Sequence, residues 1–476
     1  MIPASAQGTL DDYNRAYSLQ RTFTWAKVKN HVDDARWLPD GRFQYHLTDG
    51  ARGTWHFGQV NTDGTITLAD STSDRPIETQ PRDGARRLDR SDNRDGARRL
   101  SRRDNRDQQR ARFIANPSKR RQERHWMETD DERSGDPVLS PDSSLVAFIR
   151  NDNVFIAKPD GSEARALSTE GTISHYFSSY IQWSPDGRYV AVNRIRPIEK
   201  RYVYYVESSP SDQQQPILHK QEYAKPGDSL NYRVPVIVEI ATGKVTEVPT
   251  QYIASQYNVS APVWEDNSKS VTFEFNERGH HNFYVYEFFA ETGDVRTLIH
   301  EHSDKYINYG RQYRYDFRNG KYILWTSERD GRNHIYLYDR KTGKLVRQVT
   351  KGEFYVRDIQ HVDEEKGVIY FSANGRSGLR ESDRRGKEAG YAGTNATEED
   401  PYLIHYYKVG LDGKRLTCLT PEEGNHSVTY TDDMSFLIDT YSTITTPPVT
   451  VLRSGKDGQI LRTLETADIT SIVAEG

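Results

Sequence analysis

A serine hydrolase holds its nucleophile on a strained strand-to-helix turn, the Gly-x-Ser-x-Gly elbow, with a histidine and an acid at hand. The sequence has no such elbow: Gly375-Arg376-Ser377-Gly378 misses the spacing and lies in a polar stretch with no apolar helix behind it. Two histidine groups suggest a metal. His280 and His281 are adjacent, and neighbours on a strand point to opposite faces, so they should diverge. His300 and His302 can share a face, but no third ligand accompanies them. Gly-rich phosphate loops are missing too. The expectation is therefore no catalytic residue, no metal site and no cofactor. Two stretches still exceed ordinary scaffolding. Ser174-His175-Tyr176-Phe177-Ser178-Ser179-Tyr180 runs up to a Trp-Ser-Pro-Asp-Gly turn and serves either core packing or substrate contact. Lys200-Arg201-Tyr202-Val203-Tyr204-Tyr205-Val206-Glu207 opens an insertion that continues through Gln213-Gln214-Gln215-Pro216 to Asp228. It is too long for a hairpin and too aromatic for a linker, so it is expected to pack on something.

The elements that position these residues are short strands. From about residue 30 onward helical periodicity is almost absent, and one unit recurs: an aromatic or apolar residue, a Pro-Asp or Asp-Gly turn, then an apolar strand. Trp37-Leu38-Pro39-Asp40-Gly41, Leu139-Ser140-Pro141-Asp142 and Trp183-Ser184-Pro185-Asp186-Gly187 are the clear copies. Weaker copies begin at Val263-Trp264, Tyr315-Asp316, His361-Val362 and Thr429-Tyr430. Outer turns of one kind close the units, among them Ala241-Thr242-Gly243-Lys244, Glu291-Thr292-Gly293-Asp294 and Lys341-Thr342-Gly343-Lys344. Gly supplies the positive φ such turns require, and Asp or Thr bonds its own backbone. Spacing of about 45–50 residues is the length of a propeller blade, a small sheet that buries its faces against its neighbours. The fold class expected is all-β, a seven- to eight-bladed β-propeller. Its boundaries are a 1–30 N-terminal segment, the propeller over 31–466, and 467–476 as the start of a linker.

Composition agrees. The 476 residues include only 3 Met but 30 Tyr, so aromatic rings rather than long aliphatic chains supply the buried surface. No apolar run approaches the ~20 residues of a membrane span, so none is expected. The single Cys418 excludes an internal disulfide and a Cys-rich zinc module. The net charge of -4 is uneven: Arg82 to Arg124 holds 16 Lys or Arg against 7 Asp or Glu, a local +9 that leaves -13 elsewhere. Within it Arg82-Asp83-Gly84-Ala85-Arg86-Arg87-Leu88 recurs as Arg94-Asp95-Gly96-Ala97-Arg98-Arg99-Leu100. A basic arm can neutralise phosphates, but Asp is interleaved here and no aromatic is available for base stacking before Phe113. The favoured expectation is a disordered, low-complexity insertion over 82–124, with no nucleic-acid partner. Ala4-Ser5-Ala6 has the small-residue pattern of a signal-peptidase site without the apolar run before it, and is either a trimmed export signal or an ordinary terminus.

The order Tyr176-Phe177-Ser178-Ser179-Tyr180, Trp183-Ser184-Pro185-Asp186-Gly187, then Tyr223-Ala224-Lys225-Pro226-Gly227 resembles the propeller of the dipeptidyl peptidase IV branch of the prolyl oligopeptidase family, in its bacterial form. Ser327-Glu328-Arg329-Asp330-Gly331-Arg332-Asn333-His334, Val349-Thr350-Lys351-Gly352-Glu353 and Gly424-Asn425-His426-Ser427 extend the likeness over nearly the whole chain apart from the Arg-rich insertion. The resemblance implies a propeller of about eight blades that gates access to an α/β-hydrolase domain bearing Ser, Asp and His. The hydrolase is expected to be absent from this chain. Implied partners are the amino end of a peptide substrate and that hydrolase domain, with a homodimer left open, and the implied location is periplasmic or secreted. A free-standing periplasmic scaffold propeller is the competing expectation.

In the family a pair of propeller glutamates binds the substrate ammonium. Alignment on Phe177 and Tyr180 puts Ser174 and His175 at those positions, and neither carries a fixed negative charge. The residues expected to contact substrate are Ser174, His175, Tyr176, Tyr205 and Glu207; either another carboxylate such as Glu207 takes the ammonium or the substrate end is bound differently.

Overall fold

Each copy of the repeat becomes an antiparallel meander, because β-branched and aromatic residues alternate along short runs closed by tight polar turns. The computed structural model describes residues 9–11, 13–14, 27–49, 52–61, 65–69, 73, 75–76, 133, 135–375 and 400–474. The Arg-rich repeat over 82–124 lies outside them.

The first sheet holds β1 (His31–Trp37), β2 (Arg42–Asp49), β3 (Arg52–Val60) and β4 (Ile66–Leu68). The second holds β5 (Val138–Leu139), β6 (Val146–Arg150), β7 (Asn153–Ala157) and β8 (Arg165–Ala166). In the third, β9 (Tyr176–Phe177) and β10 (Gln182–Trp183) both pair β11 (Tyr189–Arg196). A separate ribbon follows, β12 (Tyr202–Glu207) with β13 (Ile217–Glu222), before the sheet resumes with β14 (Tyr232–Glu239) and β15 (Val245–Glu247). The fourth sheet comprises β16 (Gln256–Val259), β17 (Val263–Trp264), β18 (Ser270–Glu277), β19 (Asn282–Phe289) and β20 (Val295–His302). The fifth comprises β21 (Arg314–Asp316), β22 (Tyr322–Ser327), β23 (His334–Asp339) and β24 (Leu345–Gln348). The sixth is β25 (Tyr355–Asp363), β26 (Val368–Asn374), β27 (Ile404–Gly410) and β28 (Thr417–Cys418). The seventh is β29 (Asn425–Tyr430), β30 (Phe436–Ser442), β31 (Val449–Ser454) and β32 (Ile460–Thr466).

The fold is all-β, with the sheet form of propeller blades. No helix among the described residues is long and apolar enough to cross a membrane. The insertion after β11 corrects one expectation: it is a hairpin, Tyr202↔Glu222 through Glu207↔Ile217, closed by a loop from Ser208 to Pro216.

The strands fall into two compact units. One contains the second to fifth sheets, the other the first, sixth and seventh. Within the first-named unit, successive sheets bury their faces on each other. Ala147, Val154 and Ile156 meet Val190, Val192 and Val236. Ala191 and Ile237 then meet Trp264, Phe273 and Phe288, and Phe283 and Val285 meet Ile323 and Trp325. In the other unit Trp37, Phe43 and Tyr45 pack on Ile438, Leu452 and Leu464.

Two local devices repeat with the sheets. The indole N–H of the repeat tryptophan donates to a carbonyl of a neighbouring sheet: Trp183 to Val138 at 2.9 Å, Trp264 to Gln182 at 3.0 Å, and Trp37 to Thr429 at 3.0 Å. The outer-turn glycine also does double duty. Gly343 has φ of +67°, and a Cβ there would lie 3.0 Å from the Thr297 carbonyl oxygen. Both the conformation and the approach of the next sheet therefore exclude a side chain.

The Ser-Pro-Asp turns are knit by their own side chains. Ser140 and Ser144 hydroxyls donate to Asp142 at 2.6 and 2.8 Å, and the Leu145 N–H donates to Ser140 Oγ at 3.0 Å. The Ser140 hydroxyl, followed by the Ser144 N–H and hydroxyl, lowers the Asp142 carboxyl from 3.8 to about 2. A depressed folded-state value makes the turn's contribution complete above the ordinary carboxylate range, and it is lost as pH falls through about 2. An NMR titration of the Asp142 carboxyl carbon is expected to show this midpoint, and Ser140→Ala to return it toward the ordinary value.

Candidate functional site

The segment before β9 forms a tight loop. Thr172 and His175 exchange backbone hydrogen bonds of 2.8 and 3.0 Å, which pushes Ile173, Ser174 and His175 into solvent. The Ser174 hydroxyl lies 3.3 Å from His175 Nδ1. Tyr176 is buried, with the Arg133 guanidinium 4.7 Å from its ring centroid. Arg133 also ion-pairs with Asp152 at 2.8 Å and donates to the Ile173 carbonyl at 3.2 Å. The stretch therefore divides: Ser174 and His175 are presented, whereas Phe177, Ser178 and Ser179 pack inside the sheet. Arg133 belongs to this site, yet nothing in the sequence marks it. Its partners lie far along the chain and become neighbours only when the second and third sheets form.

Tyr205 and Glu207 sit on the ribbon. Cross-strand pairing sets Tyr205 opposite His219, with ring centroids 4.9 Å apart, and His219 Nε2 lies 2.7 Å from Glu207 Oε2. Glu207 thus has an imidazole partner rather than a bare carboxylate. The other face of the ribbon shows Tyr202, Tyr204, Val206 and Leu218 to solvent. The structure brings Ser174, His175 and Tyr176 together, and separately Tyr205 with Glu207. No hydrogen bond, ion pair or ring contact joins Ser174 or His175 to Tyr205 or Glu207 among the described residues.

Register divides this end of the third sheet between two faces: Ile195 pairs with Tyr176 of β9 on one side and Arg233 of β14 on the other, and Arg196 pairs with Tyr232 on the opposite face. The Arg196 guanidinium lies 4.9 Å from the Tyr232 ring centroid. Gln256 then bridges to the fourth sheet by accepting from the Arg233 N–H at 2.8 Å and donating to its carbonyl at 3.1 Å. Beyond it stand Tyr257, His280, Tyr306 and Tyr309, with His280 centroids 4.5 Å from Tyr257 and 4.6 Å from Tyr309. Burial, and secondarily the charge of His281, lowers the His280 pKa, so its ring packs as a neutral aromatic. Burial raises Tyr309 above the ordinary phenol value. These rings are separated in sequence, so periodicity gave no sign of them.

His280 and His281 lie in the turn between β18 and β19 rather than on a strand, with His280 at φ of +59°, and they still diverge. His280 turns to Asn276 Oδ1 at 3.1 Å and His281 to the Ser303 carbonyl at 2.9 Å. His300 and His302 share a face and both approach Asn282 Oδ1 at 2.9 Å. Among the described residues no group of three His, Cys, Asp or Glu could hold a metal ion. What these sheet ends present to solvent is the Ser174–His175 pair, the Arg196 guanidinium and the Tyr306 ring.

The profile of the dipeptidyl peptidase IV (DPP IV) N-terminal region matches residues 93–448. The chain belongs to this family. The match bears out the resemblance read from the blade motifs. Relatives include probable dipeptidyl-aminopeptidase B of Aspergillus oryzae, 22% identical over 364 residues, covering 67% of this chain and 37% of the relative. The Emericella nidulans counterpart is 22% identical over 378 residues, covering 71% and 39%. Among solved structures, dipeptidyl peptidase 4 of Porphyromonas gingivalis aligns with a TM-score of 0.48 at 17% identity, over 92% of this chain and 52% of that one. A putative dipeptidyl aminopeptidase IV of Bacteroides ovatus aligns at 0.44 and 20%, over 72% and 48%. This DPP IV-type region thus spans about two fifths of the length of those curated relatives.

Proposed function

We propose that this chain is the non-catalytic, substrate-gating propeller of a DPP IV-like serine exopeptidase, selecting peptides by their amino end for an α/β-hydrolase domain that cleaves them. The observation that carries the reading is the loop before β9, which presents the Ser174 and His175 side chains to solvent beside Tyr176 and Arg133, while the sequence offers no nucleophile elbow. Family membership supports the same role. Ser174, His175 and Tyr176 are the part of the site nearest the second sheet, and Tyr205 and Glu207 the part on the ribbon. The proposal includes action outside the cytoplasm, in the periplasm or after secretion.

The test is an assay on X-Pro chromogenic peptides with and without a DPP IV-type hydrolase domain supplied in trans. The chain alone is expected to give no turnover, and with the hydrolase to raise discrimination between short and long peptides. Turnover by the isolated chain that survives rigorous purification and inhibitor controls sinks the proposal.

A further inference from the structure

We infer that His300 and His302 chelate a divalent first-row transition-metal ion together with the side-chain oxygen of Asn282, a site separate from the peptide-selecting role proposed above. The fourth sheet runs β16-β18-β19-β20, so both histidines stand on an edge strand. Residues two apart on a strand share a face, and His300 and His302 are both exposed. Register places Asn282 of β19 opposite His302, and Tyr284 opposite His300. His300 Nε2 and His302 Nδ1 each lie 2.9 Å from Asn282 Oδ1, so two imidazole nitrogens and one amide oxygen converge.

Neighbouring groups hold all three donors in ligating orientation. The Asn282 amide N–H donates to Glu277 Oε2 at 2.6 Å, which turns the amide oxygen toward the histidines. Tyr284 stacks on His300 with centroids 4.3 Å apart and planes 2° from parallel. His302 Nε2 lies 3.1 Å from Asp304 Oδ1, the kind of carboxylate contact that fixes the tautomer of a metal-binding histidine and frees its other nitrogen. A neutral imidazole has one N–H, yet His302 faces an oxygen at each nitrogen. With that proton toward Asp304, the Nδ1 lone pair opposes Asn282 Oδ1. A cation between them removes the conflict, and His300 Nε2 is placed to share it. Small rotations of these side chains bring both nitrogens to about 2.0–2.1 Å from one ion. Glu301, between the two histidines, points to the opposite face and pairs with Arg329 at 2.6 Å, so it is no donor here. The third donor is instead an amide oxygen, and the remaining coordination positions fall to water. Imidazole donors suit Zn²⁺, Ni²⁺ or Cu²⁺, whereas Mg²⁺ and Ca²⁺ take oxygen ligands.

The test is isothermal titration calorimetry of the 476-residue chain with zinc chloride and with copper(II) chloride, magnesium chloride serving as control. Zn²⁺ and Cu²⁺ are expected to bind and Mg²⁺ not to. His300→Ala and His302→Ala should each weaken binding by more than about tenfold, since losing a ligand costs more than losing an outer-shell partner. Asp304→Asn should weaken it by about tenfold, the lower end for an outer-shell carboxylate. His361→Ala, at an exposed histidine of the sixth sheet, should leave it unchanged. Each variant is checked for native circular dichroism. Electron paramagnetic resonance of the Cu²⁺-loaded chain adds a readout that a merely structural role does not move: coupling to a pair of imidazole nitrogens, reduced to a single nitrogen in either histidine variant. Uptake of neither Zn²⁺ nor Cu²⁺ overturns the inference. So does binding that both histidine variants leave unchanged, because the ion then sits elsewhere.

Discussion

Arg453→Ala is expected to destabilise the protein by about 3–5 kcal/mol, the cost of leaving a buried charge without its partner. Arg453 and Asp439 are both fully buried, and Arg453 Nε donates to Asp439 Oδ2 at 2.8 Å. The same guanidinium donates to the Gly458 carbonyl at 3.0 Å and ion-pairs with Glu422. Asp439 in turn lies 2.9 Å from His426 Nδ1, whose other nitrogen is 2.9 Å from the Glu422 carbonyl. Removing Arg453 therefore strands Asp439 inside the seventh sheet, where water cannot compensate it. Urea denaturation followed by circular dichroism measures the effect, with the exposed Arg188→Ala as a control expected to move by less than about 0.5 kcal/mol. The double replacement Arg453→Met with Asp439→Leu should recover a substantial part of the loss, because it removes the fully buried carboxylate along with its partner, and Glu422, the acid left without the guanidinium, is partly exposed to water. If Arg453→Ala shifts the midpoint no more than the control, the pair does not hold the sheet.

Trp264→Ala should cost about 3–5 kcal/mol, the range for emptying a buried indole site. Trp264 is 2% exposed, sits between the third and fourth sheets, and stacks on Tyr189 with centroids 5.9 Å apart. Its N–H also closes the bond to Gln182 across the two sheets. Trp264→Phe separates the two contributions: it keeps most of the packing and deletes the donor, so a loss of about 1–2 kcal/mol is expected. Equal losses for Ala and Phe would mean that the hydrogen bond, not the ring, joins the sheets.

The legibility of the chain follows contact range. The turn that opens the third sheet could be read from sequence because its parts are neighbours. Ser184 donates to Asp186 at 2.7 Å, the Arg188 N–H donates to Asp186 at 3.1 Å, and Gly187 takes φ of +73°. All of that chemistry sits within a few residues, so local types dictate it, and repetition multiplies the signal. The insertion was misread because nothing local states that Lys200–Glu207 finds its pairing partner beyond a Gln-rich loop. Length argued against a hairpin, and the cross-strand pairs Tyr205↔His219 and Tyr204↔Lys220 decided for one.

From its amino-acid order alone, this protein determines its strands, its turns, the Trp and Gly positions that let one sheet meet the next, and the family to which these belong. Those features depend on backbone preference and on apolar alternation, which act over a few residues. Tertiary structure alone decided which of the candidate groups are presented and what already engages them. It buried Tyr176 under Arg133, paired Glu207 with His219, and set Arg196 beside Tyr232. The physical reason is that charge and stacking depend on distance in space, and neighbours at these sheet ends come from strands whose register is fixed only when the sheets pack.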